Sequence, residues 1–279
     1  MSQATGSVRD ALGASVDALS AAGVESPRLD AELLLAEATG WSRAALVADP
    51  AAEVPPAAAR RFAEMVRRRL RREPVAYILG RKGFRQIELA VDARVLIPRP
   101  ETELLVELAL EVGPGRLLDV GTGSGAIALA VADELPGCEV TATDTSTGAL
   151  EVARANAERL GLSGRVDFLE GTIPAGEASG GEESFDLVLA NLPYVAERDW
   201  PGLQPEVTKW EPREALLAGP DGLDAYRALI PSLPRSAVGL EVGEGQAAAV
   251  GEMLREAGFG EVETRRDLAG IERVVVGQR

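Results

Sequence analysis

Histidine is absent from all 279 residues. That excludes Ser–His–acid triads, histidine general bases and histidine-held metals, and no metal site is expected. Cysteine occurs once, as Cys138, so no internal disulfide framework can form, in keeping with a reducing cytosol. No apolar run reaches the ~18 residues of a membrane span, and the first residues lack a signal peptide's apolar segment. A cytoplasmic protein with no membrane partner is therefore expected. An excess of positive charge is missing as well. A net charge of −15 does not favour general attraction to phosphate backbones, and no stable nucleic-acid partner is expected. The rest is ordinary globular composition, 46% hydrophobic and 26% charged, long enough for one large domain or two smaller ones.

The first residues read as a small helical domain. Residues 7–22 have helical spacing, with Ser7 as cap and Gly23 as stop. Ser26-Pro27 opens a second helix over 28–38, ended by Gly40. A short third helix is expected over 41–47, and Pro55-Pro56 starts a fourth that runs to about residue 72. The fourth carries Arg60, Arg61, Arg67, Arg68, Arg69, Arg71 and Arg72. Such a run serves equally as a solvated helix face, a nucleic-acid surface or a docking surface for an acidic partner. Residues 74–80 read as a hinge. Residues 84–91 and 95–97 then read as a hairpin turning at Asp92-Ala93. Pro100 initiates a helix through residue 112, with Glu101 and Glu103 at its positive end.

A strand over 116–120 runs into Gly121-Thr122-Gly123-Ser124-Gly125 and a helix from Ala126. This turn lets backbone approach a ligand closely, and with Ala126 in the last place it also satisfies a dinucleotide pattern, so NAD stays open on the loop alone. The next strand ends at Asp144, 23 residues after Gly121, where a carboxylate can accept both hydroxyls of an adenosine ribose. An amphipathic helix follows over 146–160. A third strand over 166–170 leads to Gly171-Thr172-Ile173, at the level of an adenine pocket.

Residues 185–190 form a fourth, apolar strand that ends in Asn191-Leu192-Pro193-Tyr194. The set comprises a carboxamide, a backbone carbonyl, a proline without N–H and an amphipathic ring, at the sheet end where open α/β proteins bind ligands. It suits a flat, neutral, amide-like or aminopurine nitrogen, whose N–H donors face Asn191 and the Leu192 carbonyl while Tyr194 covers the π-face. The irregular stretch 196–221, with Trp200 and Trp210, is expected to be a packed lid. Helices over 223–233 and 246–257, a strand over 237–242 and a closing hairpin of 262–265 with 271–276 complete the chain. The alternation predicts an α/β fold: a doubly wound, seven-stranded, mostly parallel, Rossmann-like sheet. The expected division is 1–74 helical, 75–98 linker and hairpin, and 99–279 cofactor-binding.

Asp119 to Gly125, then Asp144, then Asn191-Leu192-Pro193-Tyr194 resembles the class I S-adenosylmethionine-dependent methyltransferases that act on planar nitrogens. Leu96-Ile97-Pro98-Arg99-Pro100-Glu101-Thr102-Glu103, Glu211-Pro212-Arg213-Glu214-Ala215-Leu216 and Gly222-Leu223-Asp224 narrow the resemblance to the glutamine methyltransferases of peptide chain release factors. The resemblance covers essentially the whole chain. It implies transfer of a methyl group from S-adenosyl-L-methionine to the side-chain amide nitrogen of the glutamine in the Gly-Gly-Gln motif of class I release factors. It also implies a role in translation termination. The cofactor-binding residues it implies are Gly121, Thr122, Gly123, Ser124, Gly125, Asp144, Thr172, Ile173 and Asn191; Asn191, Leu192, Pro193 and Tyr194 grip the glutamine. Two positions depart from the family pattern: Leu192 stands where a proline is usual, and Thr172 where an acidic residue commonly meets the adenine amino group. Three other readings share these residues: a glutamine methyltransferase acting on a ribosomal protein, an adenine-N6 nucleic-acid methyltransferase, and a non-catalytic cofactor-binding module.

Overall fold

The computed structural model describes residues 6–173, 185–234 and 236–278. The chain divides into two compact units, Met1–Gly80 with Gln204–Trp210, and Arg81–Leu203 with Glu211–Arg279.

The first unit holds α1 (Val8–Ala21), α2 (Pro27–Thr39), α3 (Arg43–Ala48), α4 (Pro56–Leu70) and α5 (Val75–Leu79). Ser7 and Asp10 form a capping box at α1, and Pro27 occupies the first turn of α2. Leu12, Leu19, Leu34, Leu35 and Phe62 meet in its core. The expected hinge over 74–80 is instead mostly helix. Val-Ala-Tyr-Ile-Leu buries Tyr77 and Ile78, and Gly80 ends α5 at φ 72°. A short helix from far along the chain, α9 (Pro205–Trp210), belongs to this unit. Its Glu206 receives Arg69 Nη2 at 2.7 Å and Arg72 Nη2 at 2.6 Å, while Arg69 Nε reaches Asp30 at 2.7 Å. Arg68 pairs with Glu73, and Arg67 with Glu64. Much of the arginine run is thus engaged by carboxylates of its own unit.

The second unit opens with a hairpin, β1 (Arg81–Phe84) and β2 (Ile87–Ala90). The hairpin turns at Arg85-Gln86, not at Asp92-Ala93, and 95–97 is not a strand. Arg85 takes the turn at φ 48°, held by its backbone N–H on Glu103 at 3.1 Å and its guanidinium on Glu134. A single turn of 3₁₀ helix, Pro100–Thr102, leads into α6 (Glu103–Val112). There follow β3 (Arg116–Val120), α7 (Ala126–Glu134), β4 (Glu139–Asp144), α8 (Thr147–Leu160), β5 (Val166–Glu170) and β6 (Leu187–Ala190). After the 191–223 segment come α10 (Asp224–Leu229), β7 (Ala237–Glu241), α11 (Ala247–Glu256), β8 (Glu261–Arg266) and β9 (Glu272–Gln278).

The seven strands lie in the order β5-β4-β3-β6-β7-β9-β8. The first five are parallel, and β9 runs antiparallel to both its neighbours. The central strands β3, β6 and β7 are buried along nearly their whole length, as in a parallel sheet covered on both faces. From β3 the chain winds outward to β4 and β5, then returns to place β6 on the other side of β3, pairing Val120 with Ala190. That reversal is the switch point at which doubly wound sheets bind ligands. The stretch after β6, expected to be irregular, contains 3₁₀ turns at Trp200–Gly202 and Arg213–Ala215 besides α9. No described helix is long and apolar enough to cross a membrane.

Candidate active site

The C-terminal ends of β3, β4 and β6 surround a cavity of about 230 Å³. At β3, Asp119 is fully buried; its Oδ2 accepts from the Thr122 hydroxyl at 2.6 Å and from Ala128 N–H at 3.2 Å. This carboxylate ties the glycine turn to the first turn of α7. Burial pushes its pKa up to about 7, against the opposing pull of those two donors. Gly125 closes the turn at φ 85°, where a Cβ would lie 2.8 Å from Leu129 Cδ1. Its left-handed backbone and the nearby Leu129 side chain favour glycine there.

The turn is also stitched to β4. Gly121 and Thr122 N–H donate to the Thr143 carbonyl at 2.8 and 2.9 Å. Gly123 N–H donates to Asp144 Oδ2 at 2.9 Å, and Ser146 N–H to Oδ1 at 2.8 Å. Asp144 is therefore held rigidly at the cavity wall with lone pairs left over, a donor set that fits vicinal hydroxyls. Thr172 lines the same wall beyond β5.

At β6, Asn191 Nδ2 donates to Thr102 Oγ1 at 3.0 Å. Its Oδ1 takes no donor among the described residues, and Asn191 lines the cavity with Leu192 and Pro193. The next residue is braced from behind: Gln246 Nε2 donates to the Tyr194 carbonyl at 2.9 Å and to the Gly222 carbonyl at 3.3 Å. Gly222, at φ 79°, allows this approach, since a Cβ there would stand 2.3 Å from the Tyr194 oxygen. Tyr194 packs against the core around β7, and burial pushes its phenol up to about 12.

The remaining wall comes from two sequence-distant segments. Leu96, Pro98 and Thr102 supply one side; Pro212, Glu214 and Ala215 the other. Glu211 locks them together, accepting from Ile97 N–H at 3.1 Å and from Arg99 Nη2 at 2.6 Å. Arg213 lies over the Trp200 ring, 5.1 Å from its centre. Trp210, expected to pack with Trp200 in one lid, falls in the other unit.

Of the residues singled out from sequence, Gly121, Thr122, Gly123, Ser124, Asp144, Thr172, Asn191, Leu192 and Pro193 line this one cavity. Gly125, Ile173 and Tyr194 are not among its lining residues; Ile173 packs with Tyr194 on the core around β7. Thr102 and Gln246 went unnoticed in any site role because their partners lie far along the chain. Asp119 stood in the quoted motif without a role.

Residues 117–210 match the methyltransferase domain family, so the chain contains a methyltransferase domain. The fold is shared by the catalytic domain of hMettl16 solved with the MAT2A 3′UTR hairpin 6 (TM-score 0.55, 18% identity, 68% of this chain and 75% of that one). Residues 10–80 match the PrmC N-terminal domain. The release factor glutamine methyltransferase of Caulobacter vibrioides is 43% identical over 95% of this chain and 93% of its own. That of Bordetella pertussis is 45% identical over 90% and 94%. That of Moorella thermoacetica is 42% identical over 98% of each. The chain belongs to the release factor glutamine methyltransferases.

Proposed function

We propose that this protein methylates the side-chain amide nitrogen of the glutamine in the Gly-Gly-Gln motif of class I release factors, in the cytoplasm, using S-adenosyl-L-methionine. The observation that carries this reading is the orientation of Asn191: its Nδ2 is spent on Thr102, so Oδ1 is the atom offered to the cavity. The Leu192 carbonyl, one residue on, takes no donor among the described residues and supplies a second acceptor. Two acceptors side by side suit an –NH₂ group, which can donate to both; a hydroxyl can fill only one of them, and an ionised carboxylate neither. Leucine in place of the usual proline retains that carbonyl.

The Gly121-to-Gly125 turn and Asp144 would hold the cofactor, with Asp144 taking the ribose hydroxyls and Thr172 beside the adenine. When bound there, S-adenosylmethionine supplies an electrophilic methyl carbon on a sulfonium. An amide nitrogen is a poor nucleophile because its lone pair is delocalised, so the protein's task is alignment. Asn191 and Leu192 accept both amide hydrogens, which draws electron density onto nitrogen and fixes the direction of its lone pair. Such positioning lowers barriers by up to ~7–11 kcal/mol. No general base is required of the cavity: the Tyr194 phenol stays neutral, and the Asp119 carboxylate is buried beneath the glycine turn.

An adenine amino group satisfies the same two acceptors, so nucleic acid is the reading to test against. Carboxylates of the first unit already engage Arg67, Arg68, Arg69 and Arg72, which disfavours a nucleic-acid surface on α4. Incubation with methyl-labelled S-adenosylmethionine and, in parallel, a release factor, its Gln→Ala variant, duplex DNA and ribosomes tests the proposal. Label confined to the unaltered release factor is expected. Label in DNA, or equal label in the Gln→Ala variant, overturns it.

A further inference from the structure

Asn156, on α8, is 0% exposed, and the proposed chemistry gives it no part. Its Oδ1 accepts from Ala90 N–H at 2.7 Å; its Nδ2 donates to the Ala90 carbonyl at 3.0 Å and to the Ser124 carbonyl at 2.9 Å. The orientation of the carboxamide is therefore fixed: an N–H meets its oxygen, and two carbonyls meet its nitrogen. β2 has β1 on one side only, and on its other side Asn156 pairs with Ala90 as a neighbouring strand would. Shortly after Ala90 the chain forms the cavity wall Arg94-Val95-Leu96. Ser124, at the other bond, lies in the glycine turn and lines the same cavity.

We infer that Asn156 is a positioning residue for the cofactor: it ties the hairpin and the glycine turn into one wall, and so sets the cavity's affinity for an S-adenosyl nucleoside. The inference rests only on the cofactor named in the proposed function, not on the substrate. The Ser124–Gly125 peptide is held at both ends, its carbonyl by Asn156 and its Gly125 N–H by the Thr122 carbonyl at 2.8 Å. The neighbouring Ser124 N–H takes no acceptor among the described residues. With the next peptide fixed, the direction of that donor is fixed too. Released from Asn156, the peptide can rotate, because Gly123 and Gly125 on either side of Ser124 have backbone freedom that other residues lack. α8 backs the turn a second time: a Cβ on Gly125 would lie 3.4 Å from Ala153 Cβ. One buried side chain thus joins two parts of the wall that lie 66 and 32 residues from it along the chain.

Calorimetric binding of S-adenosylhomocysteine to three variants tests this. Asn156→Ala removes all three bonds; Asn156→Asp keeps the shape but sets an oxygen against two carbonyls. Arg159→Met is the control. The Arg159 guanidinium donates to the Glu88 carbonyl of the same hairpin and to Asn156 Oδ1 at 3.3 Å, so its loss loosens the hairpin while the Nδ2 bond to Ser124 stays. The dissociation constant should rise roughly tenfold or more in both Asn156 variants, as for a lost buried hydrogen bond, and stay within about threefold of the parent's in Arg159→Met. With a methyl acceptor, KM for S-adenosylmethionine should rise in parallel while kcat at saturating cofactor stays within about threefold, because Asn191 to Tyr194 are untouched. A parental dissociation constant in folded Asn156→Ala overturns the inference, as does an equal rise in Arg159→Met or a fall in kcat with KM unchanged. A measurement on the parent decides the matter if neither Asn156 variant folds. Coupling is reciprocal, so saturating S-adenosylhomocysteine should slow hydrogen exchange at the Ala90 amide roughly fivefold more than at amides of the β8–β9 hairpin. Equal slowing at both places overturns the inference. A raised dissociation constant in Asn156→Ala, together with a parent that methylates no release factor, upholds the role of Asn156 and refutes the proposed substrate instead.

Discussion

Arg99 Nη2 lies 2.6 Å from Glu211 Oε1, joining segments 112 residues apart. The Glu211 side chain is 2% exposed and that of Arg99 30% exposed. Arg99→Ala leaves a buried carboxylate with only the Ile97 N–H for company. The expected loss is on the order of 2 kcal/mol, below the range for fully buried pairs because Arg99 is partly solvated. The same change should weaken S-adenosylhomocysteine binding, since Pro98 and Pro212 flank the cavity on either side of this contact. Urea unfolding and calorimetry check the two effects. Unchanged values for both would show that the contact holds neither wall.

Asp119 makes stability depend on pH in the less usual sense for a carboxylate. Its folded pKa of about 7 lies above the ordinary 3.8, so folding takes up a proton between those values. Stability contributed by this site is therefore lost as pH rises from about 4 to 7. Relative to Asp119→Asn, the ligand-free parent should lose stability over that window by up to about 4 kcal/mol. Urea titrations of both proteins at the two ends of the window measure it. A difference that stays constant, or moves the other way, contradicts the buried placement.

Gly222 and Gly245 share a left-handed backbone, at φ 79° and 81°, but differ in surroundings. A Cβ on Gly222 meets the Tyr194 carbonyl, whereas one on Gly245 meets nothing within 4 Å. Gly245→Ala should cost about 1 kcal/mol, for backbone strain alone. Gly222→Ala should cost about 1–3 kcal/mol more and slow methyl transfer, because the Tyr194 carbonyl must shift. Thermal melts and turnover of the two variants side by side decide it. Equal losses would mean that Tyr194 is not pinned from this side.

Glu206 sits between Arg69 and Arg72, with all three side chains largely buried. Glu206→Gln removes the shared counter-charge and leaves Arg69 with Asp30 and Arg72 with the Ala22 carbonyl. A destabilisation on the order of 3 kcal/mol is expected. A change within ~0.5 kcal/mol, as for a solvated pair, would assign the arginines to the surface instead.

Much of this molecule is legible from local pattern. The strand Leu187–Ala190 stands out as an apolar run, and Arg116–Val120 and Val166–Glu170 as short stretches bounded by turn residues. The glycine turn, Asp144 and Asn191 converge because the strand alternation implies a switch point. The misreadings arise where distant residues decide. Asp92-Ala93 has turn chemistry, but the hairpin turns at Arg85, whose strained backbone is held by Glu103 and Glu134. Pro74 and Gly80 suggest a hinge, yet together they start and stop α5. Ile173 follows Thr172 directly but turns to the core, as Tyr194 does. Thr102 and Gln246 act on partners 89 and 52 residues away, a relationship no window of sequence exposes.

A crystal structure with S-adenosylhomocysteine and a Gly-Gly-Gln peptide measures the central relationship directly. The glutamine amide nitrogen should lie ~3 Å from both Asn191 Oδ1 and the Leu192 carbonyl, with its free face toward the cofactor sulfur. An amide oxygen directed at Asn191, or a peptide seated away from β6, would contradict the account.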